Sequence, residues 1–392
     1  MHKNRRGLLF HEKNRIILYA VAFLQGMVFY GPIATLYRQA RGVTLFEITA
    51  MESVSLALEV LLEVPWGLLA ERLGYRRTMV VCCGLYFASK IVFWQAAGLA
   101  GFLLERVMLS VVLAGMSGVD ASILYLSCEG GESQRAFGLY AGIGMLGHLV
   151  AAGIFALFVR DRYSLAGLLT VVSYGLAAAL SLGLTEVRRP EAARPPAQAF
   201  GEALRQTFAN PALLLFLIAA ALLSETHQTI TVFLNQLQYR LCGLDSAAIG
   251  WVYLAATVLG TLSVGSSLVT RRTGVRGALL LCGSAAALSA LTLALSRRAA
   301  ASVAAVLTLR VSHALFEPLQ AEIQSREIRT AHRATALSIH AMLMNGVAIA
   351  TNLIFGALSQ RSLPSAFLFG AGICAAGLPL FLAWYRRSAA RR

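Results

Sequence analysis

The chain has 392 residues, of which 57% are hydrophobic and only 14% charged, and its mean hydropathy is +0.67. Soluble domains are roughly half apolar and a quarter charged, so this balance excludes an ordinary water-soluble protein. A net charge of +15 would point to nucleic acid in a soluble chain. Here most Lys and Arg sit in short loops between apolar runs, where they set membrane orientation, so no nucleic-acid partner is expected.

Apolar runs near or above the roughly 20-residue spanning length recur from end to end, without strand-like alternation, so helices rather than a barrel are predicted. The expected fold class is an all-α integral membrane protein. Twelve spans are read at about 16–37, 44–70, 78–97, 101–127, 137–159, 164–185, 211–236, 246–269, 277–296, 301–324, 334–358 and 364–385. An even count puts both termini on one side. The loops on that side are the richer in Lys and Arg, which makes it the cytoplasmic side of a multi-pass membrane protein. The basic stretch before the first span does not read as a cleavable signal peptide, so that helix is expected to stay as an anchor.

The first span offers Gln25, Phe29, Tyr30 and Tyr37 as an aromatic, hydrogen-bonding wall, to which Tyr125 of the fourth would add. The second carries Glu52, Glu59 and Glu63. At about 100° per residue these three return to nearly the same side of a helix, giving one polar stripe. Acids at membrane depth are costly and are functional candidates by default. A carboxyl in an apolar medium is suited to reversible protonation. Lys90 in the third span is a plausible partner for one of them. Directly after the stripe, Gly67 to Thr78 reads GLLAERLGYRRT, a short basic turn at the membrane surface.

Farther on, Arg106 and Asp120 lie in the fourth span, and His148 in the fifth. Residues 186–210 are the longest hydrophilic segment, a linker between an N-terminal bundle (1–185) and a C-terminal one (211–392). Phe200, Leu204 and Phe208 recur there at helical spacing, so a short amphipathic helix on the inner surface is predicted. In the seventh span, LLSETHQTITVFLNQ places Glu225 and His227 among Gln228, Asn235 and Gln236. The tenth carries Arg310, Glu317 and Glu322, and the eleventh His340. Arg106 and Arg310 stay charged, so each needs an acid or an anionic ligand at its depth, and Glu105 is one such acid for Arg106. Six cysteines show no metal-ligand spacing, and there is no phosphate-binding loop, nucleophile elbow or zinc motif; neither cofactor, metal nor enzymatic site is expected.

The two halves are related. Leu68, Arg72, Gly74 and Arg76 recur 200 positions on as Leu268, Arg272, Gly274 and Arg276, LERV around Arg106 recurs 204 on as TLRV around Arg310, and Arg135-Ala136 recurs 198 on as Arg333-Ala334. Two six-helix repeats around a central substrate site form a transporter plan.

The turn GLLAERLGYRRT resembles the G-x-L-a-D-r-x-G-r-r signature of the major facilitator superfamily, with Glu71 in place of the usual aspartate. Arg106 resembles that family's second motif, and LLEVPWGLLAER and GMSGVDASILYLS are similar to a bacterial branch rich in drug exporters. The resemblance implies two pseudo-symmetric bundles working by alternating access, and a cytoplasmic gate formed by Gly67, Glu71, Arg72, Gly74, Arg76 and Arg77. With carboxylates and histidines but no nucleotide site, coupling to protons is expected for a small-molecule substrate, and one chain already holds both halves of a transport unit. Two departures stand out: His148 occupies the place of the usual antiporter proline, and Arg271 replaces the acid in the second copy of the turn. Export of cationic or amphipathic molecules is the first expectation. Uptake or exchange of a polar metabolite is the second, and a non-transporting sensor or scaffold the third.

Overall fold

The computed structural model describes residues 2–116, 118–128, 133–187, 196–328 and 333–389, and their side chains except those at 2–11, 63, 64, 67, 68, 70–72, 133, 134, 196–200, 203, 333, 334 and 389. Every element among the described residues is helical. They are α1 (His2–Gly26), α2 (Ala34–Gln39), α3 (Leu45–Leu73), α4 (Tyr75–Gln95), α5 (Gly98–Met116), α6 (Val119–Leu126), α7 (Ser133–Ile154), α8 (Tyr163–Ser181), α9 (Pro196–Phe208), α10 (Pro211–Gln228), α11 (Asn235–Leu241), α12 (Ser246–Gly260), α13 (Ser266–Leu295), α14 (Ala299–Glu327), α15 (Arg333–Arg361) and α16 (Leu363–Ala389).

Ten segments among the described residues are long and apolar enough to cross a membrane, and one of them, Ser246–Leu295, has the length of two spans. That segment turns at Gly274, whose φ of 71° is open to glycine and strained for other residues. With the 29 residues of α3, these segments accommodate the twelve spans expected. Large apolar side chains face outward along many of the helices, Phe158 (71% exposed) and Val264 (87%) among them. Such a surface is stable against lipid rather than water.

Several spans expected to be continuous are broken. The first is interrupted between Gly26 and Ala34 by a 3-10 turn at Gly31–Ile33. The fourth divides into α5 and α6 at Gly118, which is left-handed with φ 78°. π-helical turns follow α7 at Phe155–Val159 and α10 at Thr229–Leu234. The expected basic loop after the second span shrinks to Gly74 alone, at φ 96°, so α3 and α4 nearly abut. Asn210 starts α10 by accepting a hydrogen bond from Leu213 N (3.3 Å), with Pro211 in the first turn.

Two compact units are present: one of Met1–Val43, Val54–Glu191 and Ser246–Leu254, the other of Thr44–Ser53, Ala192–Asp245 and Ala255–Arg392. In the first, α1 packs on α7 and α8, and α4 on α5 and α8. In the second, α10 packs on α15 and α16, and α13 on α14 and α16. Each second-unit pair is the repeat counterpart of a first-unit pair. The duplicated sequence therefore builds the same bundle twice.

In the first unit, Asn14 is buried and locks the chain end of α8 to α1. Its Nδ2 donates to Thr185 O (3.1 Å), while Thr185 N and Oγ1 both donate to its Oδ1 (2.9 Å each). The basic turn is tied to the same segment: Arg76 Nε donates to Leu184 O (2.6 Å), and Arg76 N to Glu186 Oε1 (3.3 Å). Glycine at 74 is what leaves room for Glu186, since a Cβ there would stand 2.6 Å from its Oε2. In the second unit α9 packs on α10 and α15.

Candidate functional site

The first unit holds a buried charge cluster. Lys90 on α4 donates from Nζ to Glu105 Oε1 on α5 (3.3 Å), and Arg38 Nη2 of α2 lies 4.0 Å from Glu105 Oε2. All three side chains are at least nine-tenths buried. Lys90 also faces the rings of Tyr86 (5.0 Å), Tyr174 (5.5 Å) and Tyr30 (5.9 Å), which stabilise a cation through their π faces. Among the described residues Lys90 is thus the partner of Glu105 rather than of Glu52 or Glu59, and Glu105 serves Lys90 and Arg38 where Arg106 was the expected beneficiary. The aromatic wall expected from the first span is core: Tyr30 and Tyr37 stack on Phe93 at 4.0 and 4.7 Å. Tyr125, by contrast, is exposed.

The α3 acids separate. Glu52 is buried, has interactions of its own and belongs to the second unit. Glu59 belongs to the first unit and is half-buried. It accepts a hydrogen bond from Ser55 Oγ (3.0 Å), which in turn is 2.7 Å from Ser110 Oγ on α5. The side chains of Glu63, Glu71 and Arg72, and the surroundings of Gly67, lie outside the described residues, while Arg77 is exposed. Asp120 stands in the first turn of α6, where an acid favours the helix dipole. Its Oδ1 accepts from Ala121 N (2.7 Å) and its Oδ2 from Tyr140 Oη (3.1 Å). Arg106 is partly buried and partnered.

The second unit gathers the richer constellation, on α10, α14 and α15. The Thr229 hydroxyl sits 2.7 Å from Glu225 Oε1 and 3.1 Å from the Asn352 side-chain amide. One hydroxyl has one proton, so the consistent reading turns the amide to donate to Thr229, which donates to the carboxylate. Two residues along α10, on another side of the helix, the His227 ring stacks on His313 of α14 with centroids 4.0 Å apart and planes 7° from parallel. Thr231 Oγ1 lies 3.5 Å from His227 Nε2, and the buried His313 Nδ1 has no hydrogen-bond partner among the described residues.

Arg310 lies one turn before His313 and acts electrostatically on both imidazoles. Its Nε donates to Ala256 O of α12 (3.3 Å), and its guanidinium rests against Gly260, where a Cβ would come within 2.5 Å of Nη2. Beyond it, Ser224 Oγ reaches Gln320 Oε1 (3.4 Å), and Gln320 and Gln324 both point to Met344 sulfur (3.6 and 3.3 Å). Glu317 is exposed, and Glu322 is exposed in an ion pair with Arg326.

The structure therefore brings Glu225, His227 and Arg310 into one unit, and adds His313 and Asn352, which the sequence reading missed. A signal for His313 was present. Arg310, His313, Glu317, Gln320 and Gln324 follow steps of three and four along α14, and at 100° per residue they share about one quarter of its circumference. This is a polar stripe through an apolar span.

A family model described as Major Facilitator Superfamily matches residues 16–351. No curated protein matches the sequence. Among solved structures, the nucleoside transporter NupG superposes with TM-score 0.79 at 18% identity, covering 95% of this chain and 98% of that one. A bacterial homologue of the human lysosomal transporter Spinster, inward-facing and unoccupied, gives 0.68 at 16% identity with 97% and 95% covered. A POT family transporter in complex with 5-aminolevulinic acid gives 0.76 at 14% identity with 95% and 96% covered. At such identities the likeness establishes the fold.

Proposed function

Because this chain belongs to the Major Facilitator Superfamily, whose members are transporters rather than enzymes, we propose that it is a proton-coupled secondary transporter. It moves a small polar solute across the membrane by alternating access, as a monomer. The observation that carries this reading is the polar stripe of α14 facing Ser224 and His227 of α10, which lines an apolar span with amide, imidazole and guanidinium groups. Such groups recognise a solute through directional hydrogen bonds, and a site for lipophilic compounds would be mostly apolar and aromatic. Structural neighbours named for nucleosides and for a bound amino acid are in keeping with it.

Export of a cationic or amphipathic compound is the second reading, and the intramembrane acids Glu52, Glu59, Glu225 and Glu317 favour it. Glu59 is the preferred proton carrier, since its one hydrogen bond leaves the carboxylate little compensation. Protonating it removes a charge and lowers the cost of one conformation relative to the other. Arg76 and Arg77 belong to a gate on the side of the basic loops, which the positive-inside rule makes cytoplasmic together with both termini, in a bacterial inner membrane.

Purified protein in liposomes, loaded with one unlabelled solute and given a labelled trace outside, tests the reading by counterflow across nucleosides, amino acids, organic acids and ethidium. Counterflow of a polar solute, together with net uptake of it from unloaded liposomes that a pH gradient drives in wild type and not in Glu59→Gln, supports it. Counterflow of ethidium alone establishes the second reading, and counterflow of nothing removes both.

A further inference from the structure

We propose that Arg310, with His313 and His227 beside it, binds an oxyanion, a carboxylate or phosphate group carried by the transported solute; the proposal rests on the transporter reading above. A guanidinium cannot be neutralised by deprotonation, and at membrane depth it is costly without a counter-charge. Arg310 sits in the central part of α14 and forms no ion pair with a carboxylate among the described residues. Glu225 is bound to Thr229, and Glu317, on the same α14 face two turns on, is exposed and forms no ion pair with Arg310 among the described residues.

Nor is the arginine free to snorkel to the membrane surface. Its Nε is held by Ala256 O, and its planar head is laid on Gly260, the residue type that leaves room for it. One of five N–H donors is thereby used, and the four on the two η nitrogens remain for a planar, two-oxygen acceptor. Each stacked imidazole has one ring N–H to offer when neutral, and the buried Nδ1 of His313 has no hydrogen-bond partner among the described residues. The η donors of Arg310 have no acceptor among the described residues, and an oxyanion is a ligand that would take them. Charge-assisted, two-point contacts of this kind are the strong ones.

The test uses the full-length protein in detergent and follows its thermal unfolding against solutes paired to differ in one anionic group: adenosine and adenosine 5′-monophosphate, glutamine and glutamate, lactamide and lactate. The expected result is stabilisation by the anionic member of at least one pair, with its neutral partner about ten- to hundredfold weaker. Arg310→Gln abolishes that preference, Arg310→Lys keeps part of it, and Gly260→Ala, which displaces the guanidinium, weakens it. Elution of each variant as wild type on size exclusion separates loss of the site from loss of the fold.

Which pair responds distinguishes carboxylate from phosphate. Equal stabilisation by both members of every pair, or the same preference in Arg310→Gln, overturns the anion site while leaving the transporter reading intact. Stabilisation by no anionic member overturns it as well. Failure of the transporter reading itself is registered separately, by absent counterflow in the liposome experiment.

Discussion

Glu105 holds the charge balance of the first unit, for a single carboxylate lies against Lys90 and Arg38 where no water reaches. Removing one partner of a buried pair leaves an uncompensated charge, so Glu105→Gln is expected to cost about 3–5 kcal/mol. A lowered unfolding midpoint of the purified protein reads this directly, and adding Lys90→Met is expected to restore part of the loss. A midpoint unchanged in Glu105→Gln would mean the cluster contributes nothing. The pair was hidden in the sequence because Lys90 and Glu105 belong to different helices, and it is the packing of α4 on α5 that brings them together. Asp120 carries the reverse lesson. Its depth reads as functional, but its place at the start of α6 gives it a capping task that needs no transport role. Asp120→Asn keeps an acceptor for Tyr140, and is expected to lose about 0.3–1 kcal/mol of dipole stabilisation while retaining gradient-driven uptake. Loss of driven flux in that variant would return Asp120 to the coupling machinery.

Among the helices of the first unit, α1 and α7 approach closely, and glycines permit it. A Cβ on Gly147 would strike the backbone carbonyl of Phe23, and one on Gly26 that of Gly144. Backbone cannot give way as a flexible side chain does, so Gly147→Ala is expected to destabilise by about 1–3 kcal/mol. Gly142→Ala and Gly153→Ala, on the same helix with nothing within 4 Å, are the controls, and should leave the thermal midpoint unchanged. If all three behave alike, the glycines are not what sets the approach. Spans such as α4 and α8 were legible because hydropathy and length alone decide them. Their interruptions were not. Gly118 breaks the fourth span in the left-handed region while Gly142 and Gly153 ride within a helix, and composition cannot tell these apart. The stripe on α14 was open to reading from its spacing of three and four: Arg310 stood out with the acids Glu317 and Glu322, but His313 did not. Both acids are exposed and one is paired with Arg326, whereas Arg310 and His313 meet α12 and α10.

For the molecule as a whole, the offset of about 200 residues between matching motifs corresponds to matching helix pairs in the two units. Both basic turns pivot on a glycine of positive φ, Gly74 at 96° and Gly274 at 71°. Six spans per repeat, as we propose, would put these turns on one side of the membrane, and the positive-inside rule favours the cytoplasmic side for it. The turn before α14 must then lie on the opposite side. Arg77, Arg272 and Arg298 are all exposed, so single cysteines there, in a chain whose six native cysteines are replaced by serine, report the sidedness through an impermeant maleimide. Arg77→Cys and Arg272→Cys are expected to react only from the cytoplasmic face, and Arg298→Cys only from the outer face. Reaction of the Arg77 and Arg272 positions from opposite faces would mean that the halves are inverted relative to each other. In that case the second basic turn could not act on the same side as the first, and a gate built from a duplicated motif would have no physical basis.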